Sequence, residues 1–339
     1  MPTNFPTLRS RSRRRIADHL QARNQVIGAV TQVYNRIERY SSAQVDPASY
    51  KFLGIDFGLL QLDENGSHLH PTNYDPSDLT FFEPRGASWV PPVVITNPNY
   101  ADHLRVLTEE WDTVQDHLLI FYPRHRDGRV PPNLRQMSQW LESGDMVPSV
   151  VADKFYSAIF GSIRWSLSAA FVPKTLLYPS GVPPHTMIMI LIGEQPSEEL
   201  LRVEVMTITA VMITRLEGEE SLAYNTIPVM AITIFGQLKA RVIEAHTSQQ
   251  GVVIKKARLF DFSTNELANK SMNILLGFMC ADLVGDPKGP IFLPNIVGGS
   301  PKADKSEVAK GGTLRKLFGK RRPRAGSDAE SELPEEVLR

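Results

Sequence analysis

The chain is poor in the residues and patterns that usually signal a chemistry. It has one cysteine, Cys280, in 339 residues. A single thiol can form neither an intramolecular disulfide nor a thiolate metal site, and its apolar neighbours predict a buried small hydrophobe. No apolar run approaches the ~20 residues of a membrane-spanning helix; the longest, such as Met187–Ile192, are strand-sized. Where a leader peptide would place an apolar core, the N-terminus carries Arg9, Arg11, Arg13, Arg14 and Arg15. No transmembrane segment and a reducing, intracellular setting are therefore expected.

Motifs of catalysis are equally scarce. No glycine-rich phosphate loop follows a strand, no serine sits in a nucleophile elbow, and no histidine pair lies on a helix. Two strings shared with protein kinases, His125-Arg126-Asp127 and Asp56-Phe57-Gly58, stand in the reverse of the order that kinase chemistry needs. His68 and His70, with Asp75 and Asp78 nearby, have metal-ligand chemistry, but the segment reads as a loop and such pairs are common on solvated surfaces.

The formal net charge is also zero, and it conceals a division. Residues 1–24 carry six arginines against Asp18, a net +5. Residues 301–339 carry ten basic and seven acidic side chains, a net +3, which leaves the middle with 21 basic and 29 acidic, a net −8. A mildly acidic body lies between two basic ends, and such ends commonly contact something anionic or a transport receptor.

What the sequence does contain is periodicity. Residues 1–11 have a disordered, basic composition. A long helix is expected from Ser12 to about Tyr40, with Ile16, Leu20, Ile27, Val30, Tyr34 and Ile37 on one side, packed on the body. Tyr50–Leu62 reads as a strand ending at the turn Asp63-Glu64-Asn65-Gly66. Residues 63–98 read as a long loop rich in proline and aromatics, with a short strand at Val93–Thr96. Helices are expected from Asn99 through Leu118, at Asn133–Glu142 and at Ser149–Ala170, with a basic loop at Pro123–Pro132. A linker runs from Pro173 to Pro184 and a strand from Thr186 to Ile192.

Residues 197–283 then read as a helix, three strands and a helix. Ser197 is the expected N-cap, and Leu201, Val205, Ile208 and Met212 recur at helical spacing. Thr226–Phe235, Leu238–Ala245 and Val252–Phe262 are the strands, separated by turns at Gly236-Gln237 and Thr247–Gly251. Ser263, three residues before Glu266, has capping-box spacing and opens a helix through Leu267, Met272, Leu275 and Met279.

This αβββα order resembles the shared core of the PD-(D/E)XK nuclease-like superfamily. The resemblance implies an acid on the second strand and an acid-x-lysine on the third, holding Mg²⁺ or Mn²⁺ for hydrolysis of a phosphodiester. The positions that correspond are Glu244 on the second strand, Lys255 and Lys256 on the third, and Glu199 or Glu204 on the preceding helix. Two residues before the lysines stand Val253 and Ile254, so the partner carboxylate is absent. The stretches Ile227-Pro228-Val229 through Phe235-Gly236 and Arg258–Phe262 also look like uncharacterised proteins of filamentous fungi.

After Leu283 the periodicity ends. Gly285–Ser300 is rich in glycine and proline, and residues 301–339 have a disordered, charged composition. Lys320, Arg321, Arg322 and Arg324 form a short nuclear-localisation signal that an import receptor would read, and Ser327 sits in an acidic context suited to phosphorylation. Leu314, Leu317 and Phe318, among Arg315, Lys316 and Lys320, describe a two-turn basic amphipathic helix for a membrane surface or a partner groove.

These readings predict an α+β protein. Residues 12–172 form a mainly helical region with a long loop, and residues 184–290 a mixed sheet flanked by helices, the two halves sharing one core or folding separately. The expected role is a non-enzymatic interaction or scaffold protein whose basic ends meet a protein, nuclear or anionic partner, with no cofactor. The alternatives are a nuclease-like domain, degenerate at its site, acting on nucleic acid, or a self-assembling structural protein of a virus or mobile element.

Overall fold

The computed structural model describes residues 8–69, 79–86, 138–142, 150–160, 165–179 and 181–288, with side chains from Ile16 onward. The expected strand at 93–96, the helix at 99–118, the loop at 123–132, and His70, Asp75, Asp78 and Ser327 lie outside the described residues. So do the residues of the localisation signal.

The architecture is α+β, mostly helical in its N-terminal region, with a mixed sheet flanked by helices in the C-terminal half. Helix α1, Leu8–Glu38, begins one turn earlier than Ser12. It packs with Val26, Val30, Val33 and Ile37, a 4-3-4 spacing that makes one apolar stripe, whereas Ile16 and Leu20 stay exposed. The expected strand at 50–62 is instead the short helix α2, Tyr50–Leu53, stopped by left-handed Gly54 and followed by strand β1, Ile55–Leu59. The turn at 63–66 is present: Asp63 Oδ1 accepts from the amides of Asn65 and Ser67. Gly66 has φ 84°, and a Cβ there would meet Ile274 at 2.8 Å.

Strand β2 is Phe82–Glu83 and β3 is Trp140–Glu142, so the end of the helix expected at 133–142 is a strand. The helix expected over 149–170 divides into α3, Asp153–Phe160, and strand β4, Trp165–Pro173. Strand β5, Thr186–Ile192, follows, then helix α4, Arg202–Glu217. The three block strands are β6, Pro228–Phe235; β7, Lys239–Ser248; and β8, Gly251–Lys256. The third is shorter than expected, because Phe260–Asp261 forms a separate strand, β9, against β7. Helix α5, Asn265–Met279, and strand β10, Asp282–Leu283, close the described region.

One sheet has the order β1-β8-β7-β6-β5-β4-β3, with β9 beside β7. The pairs β1–β8 and β5–β6 are parallel and the others antiparallel; β10 pairs with β2 separately. Two apolar layers cover the faces. One joins α1 and α4 to Ile188, Ile190, Ala231, Ile243, Val252 and Ile254. The other joins α5 to Met187, Met189, Ile232, Ala240 and Val242. Helix α4 is apolar almost all round because it lies between α1 and the sheet.

Candidate functional site

Alternation along the strands decides which candidate side chains meet. On β7, Arg241, Ile243 and Ala245 face the α4 side, and Val242, Glu244 and His246 face the α5 side. On β8, Lys256 shares the α4 side with Ile254, and Lys255 takes the other. The residues singled out by the nuclease resemblance therefore divide between two faces.

On the α4 face, Glu204 and Arg241 are both fully buried. Arg241 Nε donates to Glu204 Oε1 at 2.7 Å, and Nη2 pairs with Oε2. The same guanidinium donates to the carbonyls of Ser197 at 2.7 Å and Glu199 at 3.1 Å, and lies over the Phe235 ring. Glu204 Oε2 also accepts from the Leu201 amide at 2.8 Å, which caps α4 from its third residue. Ser197 is not the N-cap, which is Leu201; five residues before Arg202, the Ser197 Oγ accepts from the Glu199 amide. Glu204 is thus committed to structure.

Beside this brace, Lys256 Nζ lies 3.0 Å from Glu198 Oε2. Burial opposes the Glu198 charge, but Lys256 and the Leu259 amide hold its carboxyl below the usual range. These residues border a cleft of about 790 Å³ whose walls include Tyr50, Ile55, Phe57, Leu59, Glu199 and Arg258.

On the α5 face, Glu244 lies directly across from Lys255 in register. Its ionic partner is His68, whose Nε2 is 3.0 Å from Glu244 Oε1; Glu83 lies 4.0 Å from the other ring nitrogen. Burial pushes the Glu244 carboxyl above its ordinary value, with His68 and Lys255 pulling the other way. Burial opposes the His68 charge, yet contact with Glu244 leaves its pKa raised. His246 and His185 are pushed down to about 4 by burial, and both pack around Phe81. His68, considered above as a metal ligand, is an ion-pair partner here. Among the described residues no group of three or more His, Cys, Asp or Glu could hold a metal ion.

Arg241 was not among the sequence candidates. Its signal was available: an arginine inside the apolar run Ala240–Ile243 needs a buried partner. Asp56-Phe57-Gly58, the kinase-like string, is the centre of edge strand β1. Among the described residues no helix is long and apolar enough to cross a membrane.

The three strands of the αβββα block pair antiparallel within the larger mixed sheet, which helices flank, and no metal-binding cluster lies among the described residues. Compared with protein-family models, curated proteins and solved structures, the chain gives no significant match.

Proposed function

We propose that this chain is a degenerate nuclease-like module that binds nucleic acid without cutting it. One observation carries the reading. On the α4 face Lys256 stands at the third-strand lysine position, while Ile243, Ala245 and Ile254 fill the neighbouring positions from which carboxylates would reach a metal. Lys256 is neutralised by Glu198, and Glu204 is consumed by Arg241. This donor set does not fit the Mg²⁺ or Mn²⁺ that the resemblance implies, so no hydrolytic step is assigned to it. Glu244 and Lys255 face away from these residues.

Affinity in this proposal comes from the basic ends of the chain, which can neutralise phosphates, and the import signal at 320–324 would deliver the protein to a nuclear partner. The test uses the full chain with labelled single- and double-stranded oligonucleotides. Binding at ~50 mM salt should fall steeply as salt rises, weaken on deletion of residues 301–339, and leave the oligonucleotides intact in Mg²⁺ or Mn²⁺. Metal-dependent cleavage that disappears in Glu244→Ala or Lys255→Ala would overturn the degenerate reading. Absence of salt-sensitive binding would overturn the nucleic-acid reading.

A further inference from the structure

Strand β1 ends the sheet, and its outer side is paired by no strand among the described residues. The hydrogen bonds to β8 fix which of its backbone groups are turned outward. Gly54 O accepts from the Val252 amide, and the Leu60 amide donates to Lys256 O. The even-numbered positions therefore turn their N–H and C=O toward β8, and Ile55, Phe57 and Leu59 turn theirs toward the side that no strand among the described residues pairs. The side chains of those three residues lie together on the wall of the cleft, and Leu59 is 57% exposed. An edge with outward backbone groups and an apolar side-chain row is a template for another strand.

We infer that the occupant of this edge is β1 of a second copy of the chain, paired antiparallel about Phe57. The strand Ile55-Asp56-Phe57-Gly58-Leu59 is self-complementary in that register. Phe57 meets Phe57 of the second copy, and Ile55 meets Leu59, each as a pair exchanging both backbone hydrogen bonds. All three side chains stay on one face, so the two apolar rows and the two clefts become continuous.

Charge fits the same register. Asp56 would stand opposite Gly58 of the second copy, so no like charges are directly opposed. Lys255, the β8 neighbour of Gly58, lies over that glycine, its Cγ 3.8 Å from where a Cβ would be. Each Asp56 thus approaches the Lys255 side chain of the other copy across a residue with no side chain of its own. A two-fold axis repeats the contact. The offset of one residue in either direction would set Asp56 against an apolar position and lose the match.

A five-residue edge is small beside the ~1,200–2,000 Å² of stable interfaces, so the dimer is expected to be weak and concentration-dependent. Sedimentation velocity of the full chain should show monomer passing to dimer as concentration rises. Leu59→Lys, at an exposed position, should weaken the dimer at least ~10-fold without altering the circular dichroism spectrum. A second measurement fixes the register. Asp56→Cys and Gly58→Cys chains, mixed and oxidised, should form a disulfide-linked dimer that neither variant forms alone. Gly58 has room for the added side chain, and Cys280 is buried. A chain that stays monomeric throughout would overturn the inference. So would a dimer indifferent to Leu59→Lys, or one that gives no mixed disulfide.

Discussion

His246 shows how one side chain on the sheet sets a response to acid. Its ring is almost buried 5.0 Å from the Phe81 ring, and burial, reinforced by Lys255, lowers its pKa from the ordinary 6.5 to about 4. A lowered histidine pKa means that the unfolded chain takes up the proton first. The stability gained by keeping the ring neutral is present above pH 6.5 and is lost as pH falls from 6.5 towards 4. The full loss is on the order of 3 kcal/mol, and about 2 kcal/mol of it falls between pH 7 and pH 5. His246→Phe should remove that part of the acid sensitivity. Urea unfolding at pH 7 and pH 5 would show a smaller loss for the variant, and equal losses would refute the assignment. His68 and Glu244 act in the opposite sense: both pKa values are raised, so their contribution is present at low pH and is lost as pH rises. Glu244 could be named from the sequence, but its histidine partner lies in a distant loop and nothing local joined the two.

At the scale of elements, helix α5 tests how finely a cap can be read. The spacing of Ser263 and Glu266 suggested a capping box, but the structure places the cap one residue later. Thr264 Oγ1 accepts from the Leu267 amide at 3.2 Å, while the Ser263 amide donates to Asp261. Thr264→Ala should therefore cost about 1 kcal/mol, and Ser263→Ala less than about 0.5 kcal/mol. Urea midpoints of the two variants in the opposite order would restore the serine cap. Strands β5 to β8 and helices α1, α4 and α5 were legible because their apolar residues keep a strict period or form β-branched runs. Strand β4 was missed because it follows α3 closely, and its alternation, Trp165-Ser166-Leu167-Ser168, was absorbed into the preceding helical pattern. Strand β1 lies within the strand expected at 50–62, but its place in the sheet was illegible for a different reason. Its partner β8 is parallel and remote, and parallel pairing leaves no turn signal between the strands.

At the scale of the whole chain, charge is the sequence's clearest long-range pattern: two basic ends and an acidic middle. The proposed nuclear address belongs to this scale because it rests on the basic composition of one end of the chain. Residues 301–339 fused to a fluorescent reporter should concentrate it in nuclei, and Lys320→Ala with Arg321→Ala and Arg322→Ala should disperse it. A reporter that is diffuse from the outset would remove the address from the proposal. Which carboxylates partner Arg241 and Lys256 could not be read from the chain, because Glu204 and Glu198 reach them only through tertiary packing.

The parallel pairing of β1 with β8 also has a consequence in time. Ile55 must wait for Val252, about 200 residues later, or roughly 10 to 40 s at ordinary rates of synthesis. For most of that interval β1 has neither its partner strand nor the layer that α4 provides. Until then the pairing of β1 cannot be completed, so the N-terminal region reaches its final packed arrangement only once β8 is available.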